Sequence, residues 1–462
     1  MVSKIIVVGG GYAGVSAATA LAEQGLSVDL LESRGSLGGR VYSINTGDFP
    51  APVDNGPHLL MGCYKETLRL FDRLQVPDPI HWIDPLSLSW FLPGGKKVSL
   101  RCANLSAPLH LAMGLLFSNA FPLGEKINLA LALRAFSDKP FVIPGGVQTV
   151  AQFLDSASQG PQVRERFWRP LCNSVMNISI EKAPIRGLGE VLNRIFFGTR
   201  RDSALGVVAR PLSEVAFPQV ASYLSEKGGS LQLGEGIQEF KINSKGFSLA
   251  SRSGKTFTGD TLIWAVPPPS LSALWPKGSK VGMKNLSKLG KSPIISVHVI
   301  LSQPVTEEHF VGLSGGTFDW VFNRNANWAW SGKNLEAPPF DKGGPEGVGK
   351  TQYLSFTASA AEGLAGLKDP QLLELAMGEL RARCPAARQV QVLHSKITRE
   401  MAATFQWTME TDSLRPSWET PFPNIFLAGD WTATGLPATI EGACQSGHLA
   451  AEKVREYLSS IH

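Results

Sequence analysis

The 462-residue chain carries 44 Lys+Arg against 39 Asp+Glu, a formal net charge of +5, with 18% charged and 43% hydrophobic residues. A chain of this composition buries a large core, which excludes disordered and fibrous classes and leaves room for about two to four domains, or one with a large insertion. The small positive excess is spread along the chain and not gathered into Lys/Arg blocks, which speaks against a nucleic-acid partner.

In chain order, Ile5-Ile6-Val7-Val8 is a run of β-branched residues and reads as a buried strand. Gly9-Gly10-Gly11-Tyr12-Ala13-Gly14 then opens a helix from about Ala13 to Gln24, and a second strand, Ser27 to Leu31, ends at Glu32. The first 25 residues therefore read as strand, turn and helix, and not as a signal peptide. A strand before it and a helix after it give this G-x-G-x-x-G run the context of a dinucleotide-binding turn. Gly9 permits the tight turn, Gly11 lets the backbone approach a pyrophosphate, and Gly14 lets the helix pack on the strand, with Tyr12 and Ala13 on the same phosphate-facing turn. Glu32 is placed to accept from both hydroxyls of an adenosine ribose, and its charge repels a 2'-phosphate. Beyond it, Ser33-Arg34 and Gly38-Gly39-Arg40 add a second backbone approach and a guanidinium able to pair with phosphate oxygens, a clamp that suits FAD and that NAD does not need.

Leu105 to Gly206 reads as a helical insertion. Between Ala103 and Leu133 only Glu125 and Lys126 are charged, and Leu109, Met113, Leu116, then Leu123, Ile127, Leu131 form two apolar helical stripes around Pro122. Two readings follow: a buried helical pair, or a surface that dips into a membrane interface from one side. No stretch suits a bilayer span, because the longest uncharged run, Ala103 to Gly124, is broken by Asn104, Pro108, His110, Asn119 and Pro122. Ser230 to Pro267 reads as alternating strands, with Pro267-Pro268-Pro269 as an exit into a second domain. That domain carries runs suited to a half-exposed sheet at Ile294 to Leu301, Thr317 to Asn323 and Gln352 to Thr357. Trp320, Trp328, Trp330 and Trp407 fall among these strands and Trp431 follows them; their ring faces suit either a core or an apolar pocket.

Ile425-Phe426-Leu427-Ala428 reads as a buried strand, Gly429-Asp430 as the turn after it, and Thr439 to Glu452 as a helix. Asp430 can accept from a ribityl hydroxyl. Free backbone N–H groups at Ala438, Thr439 and Ile440 aim a positive helix end at the place where a reduced flavin carries negative charge, on N1 and O2. The five cysteines, Cys63, Cys102, Cys172, Cys384 and Cys444, are far apart and lack metal-ligand spacing, so reduced thiols and no metal are expected.

These landmarks resemble the flavin amine oxidase and phytoene desaturase superfamily. The opening through Arg40, Asp54-Asn55-Gly56-Pro57-His58, Ile143-Pro144-Gly145-Gly146-Val147-Gln148, Leu262-Ile263-Trp264-Ala265-Val266-Pro267 and Ile425 to Asp430 follow one another in that family's order. Phe167-Trp168-Arg169-Pro170-Leu171-Cys172 through Asn177, and the long run Gly429 to Ala443, are similar to its squalene-associated branch, the hydroxysqualene dehydroxylases. Pro57 stands where that branch commonly has Gln, and Ser179-Ile180 where a Thr-Pro pair is common.

The resemblance implies an α/β fold with a discontinuous Rossmann-type FAD-binding domain from residues 1–75, 211–270 and 415–462. An α+β substrate domain would come from 76–210 and 271–414, with the helical insertion facing a membrane. It implies noncovalent FAD, with Gly56, Pro57 and His58 near the ring, a helix from Leu59 to Leu74, Ile237 beside the adenine, and Ala265 and Gly429 on the dinucleotide. His58 would be the acid that protonates a leaving oxygen, and the five tryptophans would line a pocket for a linear C30 isoprenoid. The implied activity is reduction of hydroxysqualene to squalene with loss of water, on the cytoplasmic face of the membrane, with an external reductant for the flavin. A carotenoid-type desaturase and an isoprenoid carrier without turnover are the alternatives.

Overall fold

Ile5–Val8 has no accessible surface to offer water beyond a trace at Val8, because it is the middle strand of a five-stranded parallel sheet. The computed structural model describes residues 4–76, 80–215, 217–243, 246–275, 283–329 and 351–461. In it the strand order is Ser230–Leu233, Val28–Glu32, Ile5–Val8, Thr261–Trp264, Ile425–Leu427, so three separate stretches of chain build one sheet. A strand buried on both faces must be apolar at every position, which explains the unbroken IIVV. Helices Tyr12–Glu23 and Ile440–Ile461 cross on one face of this sheet. They touch backbone to backbone at Gly447, where a Cβ would come within 2.2 Å of the Ala13 carbonyl oxygen.

The stretch from 230 to 267 is split between two sheets. Its first and last strands join the parallel sheet, while Ile237–Asn243, Gly246–Ser251 and Thr256–Gly259 form a separate antiparallel sheet between them. The second large unit is a seven-stranded sheet in the order Val392–Thr404, Ser292–Leu301, Gln352–Ala358, Trp320–Asn323, Phe310–Leu313, Ser87–Phe91, Lys97–Arg101. All neighbours are antiparallel except Phe310–Leu313 beside Ser87–Phe91. Successive side chains leave opposite faces of a strand, and Trp320–Asn323 shows the consequence. Trp320 and Phe322 join the core shared with the helical insertion, and Val321 packs beneath helix Asp369–Arg383.

The segment expected as one helix from Leu59 to Leu74 is instead a strand, Leu59–Met61, and then a helix, Lys65–Arg73. Leu59–Met61 pairs antiparallel with Leu205–Val208, and at Gly62 any Cβ would lie 1.7 Å from the Arg201 carbonyl oxygen. Pairing with a distant strand overrides a locally helical pattern here. In the insertion, Leu109–Phe117 and Leu123–Arg134 bury Leu111, Leu115, Leu129 and Leu133. Leu109, Leu116, Leu123, Ile127 and Leu131 are each more than half exposed, as is Phe117 at 77%. The buried-pair reading of those two stripes therefore fails, since the stripe residues themselves face outward, except half-buried Met113. No helix among the described residues is long and apolar enough to cross a membrane.

Candidate functional site

The first parallel strand ends at Val8, and after it Gly9, whose φ of +115° is open to glycine, turns the chain so that Gly10 and Gly11 lie against the opposite loop at Gly38 and Gly39. Gly10 O accepts from Gly38 N at 2.9 Å, and a Cβ on Gly39 would come within 3.3 Å of Gly11 Cα. Two backbones without side chains thus face one another across a slot. Gly14 stands outside the cavity wall, in the helix, where it closes on Gly9. Glu32 is buried at the end of its strand, accepting from Gly10 N at 2.6 Å and, on its other oxygen, from Ser33 Oγ at 2.9 Å and Arg34 N at 2.8 Å. The carboxylate that the ribose would meet is fixed by the same turn that shapes the phosphate slot.

A single cavity of about 990 Å³ begins at this slot, near the upper limit of about 1,000 Å³ for small-molecule sites. Its walls include Gly9, Gly11, Tyr12, Ala13, Glu32, Ser33, Arg34, Gly39 and Arg40 at the turn. Ile237 and Ala265 line it from the strands, Gly56, Pro57 and His58 from the loop before Leu59, and Gly429, Asp430, Ala438, Thr439 and Ile440 from the C-terminal turn. Slot, acidic strand end and helix start fit a dinucleotide carrying a flavin: the glycines leave room a Cβ would fill, and the helix end offers donors. Thr439 N donates to Pro437 O at 2.8 Å, so that N–H is engaged in a local turn. The N–H groups of Ala438 and Ile440 find no acceptor among the described residues, and Thr439 Oγ1 accepts from Gly442 N at 3.1 Å as a cap. Arg40 and Asp430, expected to reach phosphate and ribityl, hold each other at 2.7 Å, while Arg40 also donates to Ala403 O at 2.7 Å.

The cavity continues past the flavin residues between Leu86, Phe167, Pro170, Phe310, Trp320 and Phe322. Trp320 is a wall residue whose Nε1 donates to Ser174 Oγ at 2.8 Å, and Trp431 lines the cavity with Nε1 donating to Val266 O at 3.2 Å. Trp328 and Trp407 do not line it. Trp328 packs with Phe49, Val53 and Tyr353 in a separate cluster, its ring 4.5 Å from the Arg324 guanidinium. Trp407 is buried against Gly187 and Arg415, Nε1 donating to Asp412 Oδ1 at 2.8 Å. Both stack on arginines away from the cavity, Trp328 on Arg324 four residues before it in the same helix and Trp407 on Arg415. Trp330 lies outside the described residues.

His58 lies on the cavity wall. Burial pushes its imidazole below the ordinary value, and Nδ1 lies 2.9 Å from Gly56 O, which can only accept. The neutral ring therefore carries its proton on Nδ1, and Nε2 has a lone pair and nothing to donate. The preceding Asp54 turns away from the cavity: buried, it pairs with buried Arg324 and accepts from Ser43 Oγ at 2.6 Å and Leu212 N at 3.1 Å, while Asn55 stays on the cavity wall, its Nδ2 donating to Glu400 Oε2 and to Arg40 O, each at 3.1 Å. The loop is thereby anchored to the seven-stranded sheet. Arg166, Pro170 and Ser174 were missed as cavity residues although their spacing of four puts them on one helical face. Thr357, Ser359 and Thr404 also line it, and no local pattern marks them, because strands distant in sequence bring them there. Among the described residues no group of His, Cys, Asp and Glu could hold a metal ion, and all five cysteines are buried and unpaired.

Comparison with known proteins agrees with this geometry. The model of the flavin containing amine oxidoreductases matches residues 12–455. Hydroxysqualene dehydroxylase of Rhodopseudomonas palustris is 26% identical, covering 98% of this chain and 99% of that protein. The chloroplastic/chromoplastic 15-cis-phytoene desaturase of Glycine max is 24% identical, over 98% of this chain and 79% of the relative. Among solved structures, an oxidoreductase from Methanosarcina mazei superposes with a TM-score of 0.73 at 14% identity, over 97% of this chain and 100% of that one. Cyclohexylamine oxidase from Brevibacterium oxydans gives 0.66 at 16%, over 99% and 100%. The chain belongs to the flavin-containing amine oxidoreductase family and is an FAD-dependent oxidoreductase.

Proposed function

We propose that this flavoprotein reduces hydroxysqualene to squalene with release of water. The observation that carries the reading is one cavity that starts at the dinucleotide turn and runs on between aromatic and aliphatic walls. Its support from relatives is the end-to-end match to hydroxysqualene dehydroxylases, 98% of both chains in the Sinorhizobium fredii protein. FAD, when bound, supplies the two-electron exchange. The residues 1–75, 211–270 and 415–462 bind it, and 76–210 and 271–414 enclose the isoprenoid. Phe167, Pro170, Phe310 and Trp320 keep water from the chain, and the faces of Trp320 and Trp431 favour positive charge developing on an allylic carbon. Neutral His58, with Nδ1–H held by Gly56 O, presents Nε2 as an acceptor and orients the loop.

The substrate is water-insoluble, and the outward leucines of the two insertion helices supply a surface on which the protein rests on a membrane, here taken to be its cytoplasmic face. An external reductant recharges the flavin. The phytoene desaturases among the relatives favour a second reading, desaturation, in which hydride flows the other way. Photoreduced enzyme mixed without oxygen with hydroxysqualene tests both: recovery of the oxidised spectrum with one squalene per flavin is expected. A desaturase leaves that mixture reduced and bleaches its oxidised flavin with phytoene, and a carrier binds either lipid without a redox change.

A further inference from the structure

Two neighbouring bonds clamp the helix Arg169–Met176 to the strand Trp320–Asn323 and the residue before it: Asn173 Nδ2 donates to Asp319 Oδ1 at 3.0 Å, and Trp320 Nε1 to Ser174 Oγ at 2.8 Å. Ser174 is exposed and lines the cavity, in a stretch of wall shared with Phe167, Pro170, Phe310 and Phe322. An indole N–H only donates, so Ser174 Oγ is held as the acceptor of that bond and its own proton points elsewhere. A helical serine commonly returns that proton to the carbonyl four residues back. Here no carbonyl or side chain among the described residues accepts it, and the proton is left for a molecule in the cavity.

The other polar groups on this part of the wall are placed differently. Thr404 Oγ1 likewise accepts from Asn177 Nδ2, at 2.9 Å, but Thr404 is buried, and Thr357 Oγ1 is sealed without a partner among the described residues. Arg166 Nε and Nη1 are engaged by Ser314 Oγ, Gln162 Oε1 and Ala120 O. Ser174 alone among these hydroxyls is both open to the cavity and oriented by a fixed donor. A neutral donor among apolar side chains fits a neutral oxygen on an otherwise apolar molecule. A hydrocarbon that displaces water from Ser174 leaves the hydroxyl unmet, whereas an alcohol meets it.

We propose that Ser174, oriented by the Trp320 indole, donates a hydrogen bond to the oxygen of an isoprenoid alcohol and makes the cavity prefer that alcohol to the corresponding hydrocarbon. The product of a dehydroxylation, having lost its oxygen, then binds more weakly than the substrate. The proposal rests on the isoprenoid reading of the cavity but is tested by binding, without turnover. Oxidised holoenzyme, which carries no hydride to give, is equilibrated with radiolabelled hydroxysqualene or squalene in the same detergent micelles, and the lipid retained by the protein is measured. Wild type is expected to hold the alcohol about tenfold more tightly than the hydrocarbon, the worth of one hydrogen bond made away from water. Ser174→Ala brings the alcohol to within about twofold of the hydrocarbon and leaves the hydrocarbon's affinity unchanged, while Ser174→Thr, which keeps the hydroxyl, keeps the preference. A preference retained in Ser174→Ala overturns the proposal and passes the role to another donor such as Arg166. Equal loss of both lipids in that variant also overturns it, as damage to the wall, and so does a wild type that shows no preference. A wild type that prefers the alcohol yet yields no squalene when photoreduced would remove the dehydroxylase reading and leave this recognition standing.

Discussion

Gly11 and Gly14 belong to one motif, and the structure separates what each does. An alanine Cβ at position 14 would sit 1.8 Å from Gly9 O and 3.2 Å from Ala265 Cβ. A carbon in contact with a carbonyl oxygen needs about 3.3 Å, so the helix Tyr12–Glu23 would have to retreat from its strand by roughly 1.5 Å. Overpacking costs about 1–3 kcal/mol and tends higher when the obstacle is backbone; alanine's better helix propensity returns about 1 kcal/mol, leaving a loss of roughly 2 kcal/mol. At position 11 the nearest atom to a new Cβ is Gly39 Cα, 3.9 Å away, and φ is −79°, which any residue adopts. A Cβ at position 11 therefore meets no steric obstacle in the empty protein, and the methyls of Gly11→Val are expected to fill the slot. The expected result is a Gly14→Ala protein with a lower urea midpoint with or without flavin. Gly11→Val should be colourless and unfold like flavin-stripped wild type, while denatured wild type releases FAD and not FMN. Stoichiometric FAD in Gly11→Val would refute the placement of the pyrophosphate, and a Gly14→Ala protein as stable as wild type would refute the close approach of helix and strand.

Leu116→Asp with Leu131→Asp should weaken flotation with anionic liposomes and leave flavin content and melting unchanged, because both side chains are more than half exposed; equal flotation would remove the membrane surface. His58→Asn should slow dehydroxylation less than tenfold at pH 7.5, since a neutral imidazole is not the acid; a loss of a hundredfold or more, the range for removing a general acid, would restore that role. Asp319 is buried, and burial raises its carboxyl to about 6 despite donors from Asn173 and Ser359. The folded protein then holds that proton to higher pH than the unfolded chain does, so folding loses stability as pH rises from about 4 through 6. Asp319→Asn should accordingly gain on wild type between pH 4 and pH 8, by on the order of 3 kcal/mol for two pKa units, and a pH-independent difference in denaturant midpoints would contradict it.

The dinucleotide half was legible because its signals are local. Ile5–Val8, the glycine turn and the strand ending at Glu32 lie within 28 residues, and steric need fixes glycine where backbones nearly touch. The strand Ile425–Leu427 and the helix after Thr439 are local in the same way, although that helix runs on to Ile461. The apolar stripes at Leu109 and Leu123 were visible as periodicity, but periodicity marks a face without saying what the face meets. Which tryptophans border the cavity was decided by tertiary structure alone. Trp320 sits in the strand Trp320–Asn323 and Trp328 in the helix Arg324–Ala329 that follows it, and partners distant in sequence, Ser174 for one and Phe49 with Tyr353 for the other, send them to different places. The same holds for His58 and Arg415. Sequence supplied an imidazole in a family motif and left the arginine unmarked; burial and the Gly56 carbonyl then set the surroundings of one, and the carbonyls of the Asp430–Leu436 turn gather around the other, because a group's role depends on what surrounds it in space.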